Sequence, residues 1–224
     1  ILYLRVSSFD SSVTKKLQEA IQANKETKGF ILDLRNNPGG LLSQAIGVVD
    51  LFVDKGVIVS QKGKDKNSEE SFEASAFNTV TKLPVVVLVN GGSASASEIV
   101  SGALQDYKRA IIIGSAQTFG KGTVQQHRPL GRVYDLYEKP LGSIQYTIAK
   151  FYRINGGSTQ NDGVLPDIAF PSAIEPAEFG ESVADNTLPW DSIAKASYEV
   201  RGDVAKGDFA QLRQSHQARI KQEQ

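Results

Sequence analysis

The chain has 224 residues, 40% hydrophobic and 22% charged, which is enough for a sizeable buried core. Lys plus Arg and Asp plus Glu each total 25, so the formal net charge is zero and the basic excess typical of nucleic-acid-binding proteins is missing. The lack of cysteine excludes a disulfide framework and a thiolate metal site, two histidines are too few for a histidine-rich zinc site, and no apolar run approaches the ~18 residues of a transmembrane helix.

Hydrophobic periodicity in the first half of the chain predicts strands alternating with helices. The predicted strands are 1–6, 29–35, 57–60, 85–90 and 110–114, and the predicted helices are 12–24, 41–52 and 93–108. Residues 61–78 are polar and charged, which predicts an exposed loop or hairpin. Strands that alternate with helices of this length indicate βαβ crossovers and a largely parallel, covered sheet, hence an α/β fold.

The second half of the chain follows a different pattern. A glycine-flanked turn at 119–122 precedes predicted strands at 123–129 and 143–153 and a short edge segment at 163–168. After Pro171 the sequence becomes acidic and loop-like, and then helical from about 189 to 224. We therefore expect a core over 1–172 and a C-terminal helical extension over 173–224.

The segment 84–97, PVVVLVNGGSASAS, joins a predicted buried strand to a predicted helix through two glycines. The first N–H groups of a helix have no partner within it, so such a turn can present a nucleophile or bind an anion. Three serines, Ser93, Ser95 and Ser97, are candidate nucleophiles. Each of them is equally compatible with a simple capping role, so this segment alone leaves the choice open.

A serine nucleophile needs a base, because its hydroxyl is weakly nucleophilic at neutral pH. Lys121 is bracketed by glycines and follows Phe119, so it can be desolvated beside an aromatic ring, which favours the neutral amine that a base requires. The alternative for Lys121 is an ordinary solvent-facing turn. Gln125, four residues on, is placed to orient the amine, whereas His127 follows an ordinary strand pattern and His216 lies in the polar tail.

The glycine pair Gly39–Gly40 suits a turn before a helix, and its N–H groups would equally suit an oxyanion hole. The sequence matches neither of two nucleotide-binding motifs, the P-loop and the dinucleotide-binding motif. Segment 114–122 has five residues between its glycines instead of four, with Gly122 in place of the Ser or Thr that ligates Mg²⁺. No G-x-G-x-x-G motif follows a strand, so dinucleotide binding is unsupported.

Five short motifs occur in order along the chain: DLRNNPGG at 33–40, GGSASASEI at 91–99, QDYKRAIIIG at 105–114, TFGKGTVQ at 118–125 and GVLPDI at 163–168. Together they resemble the C-terminal processing peptidases, which are serine peptidases with a Ser-Lys catalytic pair. The stretch 143–168 and the motif NTLPWDSI at 186–193 resemble most closely the tail-specific protease branch of Gram-negative bacteria. The resemblance extends from residue 1 to beyond Trp190.

The resemblance implies one role for each matched residue, with no metal. The implied roles are Ser95 as nucleophile, Lys121 as general base, Gln125 as the residue that orients the lysine, Gly40 and Ala96 as the oxyanion-hole amides, and Asp106 as a structural support. Lys121 lies 26 positions after Ser95, one more than the family pattern, and the additional residue falls in 115–117.

The resemblance also implies a crotonase- and Clp-like α/β fold, with a βαβ spiral core, small antiparallel additions and a helical C-terminal appendage. It implies a serine endopeptidase that needs no cofactor, acts on polypeptides with apolar C-termini, has an adaptor protein as a further partner, and resides in the periplasm at the periphery of the inner membrane. Family members carry a PDZ domain that captures the substrate C-terminus; none is visible, and we expect the chain to begin just after it.

Two alternatives to a peptidase remain at this point. One is a non-catalytic peptide-docking core. The other is an acyl-thioester lyase or hydratase on a related fold, which would use the same paired amides. The second alternative would need acidic residues at the pocket and a nucleotide-binding surface, and the sequence contains no motif for either.

Overall fold

The computed structural model describes residues 1–65, 67–130, 141–172, 178–204 and 206–223. The predicted boundary at 173 and the last residue of the predicted C-terminal helix lie outside them. The described elements are β1 (Leu2–Arg5), α1 (Val13–Ala23), β2 (Phe30–Asp33), α2 (Leu42–Asp50), β3 (Lys55–Gly63), β4 (Glu70–Ser75), β5 (Val85–Val89), α3 (Ala96–Asp106), β6 (Ala110–Gly114), β7 (Thr123–Pro129), β8 (Ser143–Tyr152), β9 (Ile168–Ala169), a 3₁₀ turn (Glu181–Val183) and α4 (Lys206–Glu223).

A five-stranded parallel sheet forms the centre of the molecule, in the order β1-β2-β5-β6-β9. Alternate side chains of β5 are fully buried, and all residues of α3 from Ala96 to Leu104 are buried as well. Because α2 packs on α3 and the central strands are apolar, the hydrophobic core lies between the helices and this sheet. The predicted α/β class is confirmed.

A second, antiparallel sheet has the order β4-β3-β8-β7. The prediction of a short strand at 57–60 is wrong in length, because β3 continues to Gly63 and pairs with both β4 and β8. Its polar residues are tolerated because this part of the sheet is only half-buried, so it shows little hydrophobic signal. The predicted hairpin within 61–78 is present as the β3–β4 connection.

The C-terminal part differs from the prediction of a helix from about residue 189. Residues 189–204 are irregular rather than helical, and α4 begins only at Lys206. Backbone hydrogen bonds tie this irregular segment to the core, from Ile193 N to Gly156 O (2.9 Å) and from Arg201 N to Tyr107 O (3.0 Å). These backbone N–H groups therefore find their acceptors in the core instead of in a helix. Among the described residues, no helix combines the length and apolar character needed to cross a bilayer.

Candidate active site

The turn between β5 and α3 presents Ser95 at the amino terminus of a buried helix. Ser95 has φ 55° and ψ −110°, a conformation that L-residues rarely adopt and that costs about 1–3 kcal/mol. Such strain persists only where the surrounding structure holds the residue in place. The side chain of Ser95 is half-buried and lines a cavity of about 430 Å³.

The two neighbouring serines have structural positions. Ser93 Oγ donates to Leu34 O at 2.8 Å and accepts from Asn90 N at 3.0 Å. Ser97 Oγ donates to Asn37 O at 3.0 Å. Both side chains are fully buried, so these bonds hold the turn against the loop that follows β2. Ser95 is thus the serine of the three that faces the cavity.

Replacing Ser93 by alanine is expected to lower the free energy of unfolding by about 1–3 kcal/mol, because Asn90 N–H loses its buried acceptor. Urea unfolding measures this change. The exposed Ser11, replaced by alanine, is the matched control and should shift stability by no more than about 0.5 kcal/mol. Equal stabilities for the two variants would contradict a structural role for Ser93.

The loop after β2 contributes one backbone amide to the wall of the cavity, and the start of α3 contributes another. Phe9 N donates to Gly39 O and Leu41 N donates to Phe9 O, both at 2.9 Å, in a parallel bridge that directs the Gly40 amide away from Phe9. Gly40 has φ 144°, and a Cβ there would lie 2.4 Å from Phe9 O, so only glycine fits. Ala96 is the first helical residue, and its N–H has no partner within α3. Gly40, Ala96 and Ser95 line the same cavity.

Lys121 and Gln125 contact each other in the wall of the same cavity. Lys121 Nζ donates to Gln125 Oε1 at 3.0 Å, and Gln145 Nε2, from the neighbouring strand β8, donates to the same oxygen at 2.6 Å. No hydrogen bond joins Lys121 Nζ to Ser95 Oγ within the part of the chain that the structure describes. Both residues line the cavity, so the predicted pair shares one site.

Glu98 connects the two halves of the site, and sequence reasoning missed it. Its Oε2 accepts from the backbone N–H of Ser95 (2.7 Å) and of Lys121 (3.0 Å). Its Oε1 accepts from Thr118 Oγ1 (2.6 Å) and from Gly120 N (2.7 Å). One buried carboxylate therefore fixes the backbone of both proposed catalytic residues relative to each other.

The environment of Glu98 opposes its charge. Burial raises the pKa of Glu98 to about 7, although the bonds from Thr118, Gly120, Ser95 and Lys121 act in the other direction. The sequence does contain a signal for this residue, the spacing Ser95-x-x-Glu98, in which an acidic side chain three positions into a helix bonds back to the capping residue. That signal predicts a helix start, and only the fold reveals the bonds to Thr118, Gly120 and Lys121.

Asp106 lies at the other end of α3, outside the cavity. It accepts from Arg153 Nε at 2.9 Å and from Arg153 Nη2 at 2.6 Å, a two-point contact between groups that are mostly buried. The contact joins the end of α3 to the loop after β8. This geometry favours the structural support predicted for Asp106.

The two histidines occupy different places, one at the cavity and one on the C-terminal helix. His127, on β7, is exposed and lines the cavity. His216, on α4, stacks on Phe170 with ring centroids 4.3 Å apart and lies near Ala169 O. Among the described residues, no three His, Cys, Asp or Glu side chains lie together as potential metal ligands.

Residues 1–170 match the family described as Peptidase family S41. The chain belongs to this family. Residues 174–224 of this S41 chain match the C-terminal domain of tail specific protease (DUF3340). The S41 chain is 43% identical over 224 residues to the tail-specific protease of Haemophilus influenzae, covering 98% of this chain and 32% of that protein. It is 46% identical over 172 residues to the carboxy-terminal-processing protease of Bartonella bacilliformis, covering 74% and 38% respectively.

Solved structures agree with this assignment. The S41 chain resembles the photosystem II D1 C-terminal processing protease with a TM-score of 0.64 at 34% identity, over 75% of this chain and 42% of that one. Mature CPAF shares the fold, with a TM-score of 0.58 at 16% identity over 76% of this chain and 46% of that one. The S41 chain spans 32–38% of the length of the two curated relatives.

Proposed function

We propose that this chain is the catalytic part of a serine endopeptidase of the tail-specific, C-terminal processing type. One observation carries the proposal: Ser95, in a strained turn at a helix amino terminus, lines the same cavity as Lys121 and the Gly40 and Ala96 amides. A nucleophile, a base and two N–H donors around one space are the components of acyl transfer.

In the proposed mechanism, the neutral amine of Lys121 removes the proton from Ser95 Oγ, which attacks the scissile carbonyl carbon. The Gly40 and Ala96 N–H groups stabilise the oxyanion of the tetrahedral intermediate, and the amino end of α3 contributes its positive dipole. Lys121 then passes its proton to the leaving amine. Water, deprotonated by Lys121, hydrolyses the acyl-enzyme and regenerates Ser95.

The hydrogen bond from Lys121 to Gln125 gives this mechanism a specific first step. The Lys121 side chain turns about its flexible stem from Gln125 Oε1 towards Ser95 Oγ when a substrate enters. Gln125 then orients the amine on its return. We assign Asp106 a supporting role through Arg153, because its carboxylate lies outside the cavity.

For the substrate, we propose polypeptides with apolar C-terminal tails. The cavity supports this choice, since much of its wall is apolar, formed by Phe9, Leu41, Leu42, Ile99, Val124 and Phe151. The names of the relatives, tail-specific and carboxy-terminal-processing protease, support only the choice of the C-terminal end of the substrate and not its apolar character. We further propose a periplasmic location at the periphery of the inner membrane, an adaptor partner, and a core over 1–172 with its C-terminal extension over 173–224.

A serine-directed covalent probe tests the proposal. We expect the probe to modify one residue, Ser95, as located by mass spectrometry of the digested chain, and the Ser95→Ala variant to remain unmodified. Modification of Ser93 would show that the nucleophile is wrongly assigned. A chain that binds peptides without being labelled or cleaving them would be a docking core, and turnover of an acyl thioester would favour the lyase or hydratase alternative.

A further inference from the structure

Strand β7, which contains Gln125 and begins two residues after Lys121, lies at the edge of its sheet. β7 is the outermost strand of the order β4-β3-β8-β7, and among the described residues it pairs with β8 alone. An edge strand has one row of backbone N–H and C=O groups that its own sheet leaves unpaired. Such a row can accept another extended chain.

Two hydrogen bonds identify which residues of β7 point outward. Phe151 N donates to Gly122 O at one end and Leu130 N donates to Gly142 O at the other, both at 2.9 Å. In an antiparallel pair, residues bonded to the partner strand alternate with residues whose backbone groups point away. The even-numbered residues from 122 to 130 therefore face β8, and the odd-numbered ones face the free edge.

The alternation continues across the irregularity in this pair. The register shifts from Val124–Ala149 to Gln125–Thr147, so the additional residue, Ile148, belongs to β8. β7 itself has no inserted residue. The backbone N–H and C=O groups of Gln125 and His127 consequently both point outward.

The same residues of β7 have their side chains in the candidate active site. Gln125 and His127 line the cavity that contains Ser95, and so does Gln145, which stands opposite His127 on β8. The outward backbone groups therefore lie beside the catalytic cavity. An extended chain alongside them would run about 4.8 Å from β7.

We propose that the free edge of β7 receives the substrate as an additional β-strand, held by the backbone groups of Gln125 and His127, so that the scissile peptide reaches Ser95. This inference rests on the proposed function for the identity of the occupant, an extended segment of polypeptide. Main-chain bonds would give binding that is largely independent of sequence, and every second side chain would enter the apolar part of the cavity.

Pro129 limits this docking edge. It is the next outward-facing residue after His127, and it has no N–H to donate. The paired length of the substrate is therefore confined to the part of β7 next to the cavity. Proline at an outward position is also compatible with the strand itself, because the bonds to β8 come from the intervening residues.

This compatibility provides a test at His127. In the Ser95→Ala background, which prevents turnover, His127→Pro removes one outward N–H and places a ring in the path of an added strand. We expect this variant to bind a labelled, unstructured peptide with an apolar C-terminus about tenfold more weakly than His127→Ala, by fluorescence anisotropy. Equal affinity of the two variants, with the same circular dichroism and thermal unfolding, would overturn the proposal.

A second measurement alters the peptide and leaves strands β7 and β8 of the protein unchanged. Peptides methylated at one backbone nitrogen each, at successive positions, are bound to the Ser95→Ala chain. We expect losses of about tenfold at every second position of the docked segment and small effects between them. Uniform losses at adjacent positions, or none, would overturn strand docking. If Ser95 resists the covalent probe while the alternation persists, the peptidase proposal fails and the docking proposal stands.

Discussion

Replacing Lys121 by alanine is expected to lower kcat/KM for peptide hydrolysis by about 10⁴-fold or more, as much as replacing Ser95 by alanine. The physical reason is that a serine hydroxyl attacks a peptide slowly unless a base removes its proton, and Lys121 is the basic group of the described cavity that lies beside Gln125. Cleavage of an unstructured peptide with an apolar C-terminus, followed by mass spectrometry of the fragments, measures both rates.

The double variant gives the sharper test of a pair that acts as one unit. If Ser95 and Lys121 serve the same step, replacing both costs no more than replacing one. Lys121→Arg should be as inactive as Lys121→Ala, because a guanidinium stays protonated and cannot accept the serine proton. Lys64→Ala, in the exposed β3–β4 connection, is the control for loss of a positive charge. If the losses in kcat/KM of the two single variants instead multiply in the double variant, Lys121 acts in a different step from Ser95.

The sequence predicts the strands next to the candidate site more accurately than the periphery of the fold. The strand at 110–114 and the strand at 123–129 occur with the predicted bounds, because the first is an isoleucine run that ends at Gly114 and the second begins directly after Gly122. The segment that brings Ser95 to the helix start has the same kind of signal, a charge-free strand stopped by two glycines.

Where tertiary contacts decide the conformation, the sequence predicts less. The residues at 189–204 have a composition compatible with a helix, but hydrogen bonds to Gly156 and Tyr107 hold them in an irregular, non-helical path. The rest of β3 is polar, so its length became visible only through its partners β4 and β8. For Glu98, likewise, the local spacing predicts a cap, and only the fold brings Thr118, Gly120 and Lys121 within reach of its carboxylate.

Replacing Glu98 by glutamine is expected to lower kcat/KM by about 10²-fold, because Gly120, the residue before the proposed base, loses one of the bonds that hold Lys121 in place relative to Ser95. An ionised carboxylate offers only acceptor positions, and all four neighbours of Glu98 donate to it. A glutamine amide must turn its NH₂ towards two of them. The hydroxyl of Thr118 can turn to accept, but the N–H of Gly120 cannot, so one buried donor is left without a partner at a cost of about 1–3 kcal/mol.

The pH dependence of stability and of rate distinguishes a Glu98 that positions the catalytic residues from a Glu98 that only stabilises the fold. Since the pKa of Glu98 is raised from 4.5 to about 7, the folded chain holds this proton more tightly than the unfolded chain between those values. The contribution of Glu98 to the free energy of unfolding therefore falls as pH rises from about 4.5 to about 7, and is constant above. Glu98→Gln should lose this slope in urea unfolding, whereas Glu19→Gln, an exposed control on α1, should keep it.

Activity should respond to the same ionisation in the opposite sense. Protonated Glu98 must donate one hydrogen, and of its four partners only the Thr118 hydroxyl can accept it, so the bond from Gly120, the residue before the proposed base, is weakened. We therefore expect kcat of the unaltered chain to fall as pH drops through about 7, in a step that Glu98→Gln lacks. A step that persists in Glu98→Gln would assign it to another group. Unchanged kcat with reduced stability alone would make Glu98 a structural residue, because a carboxylate that positions Ser95 and Lys121 must affect the rate as well as the fold.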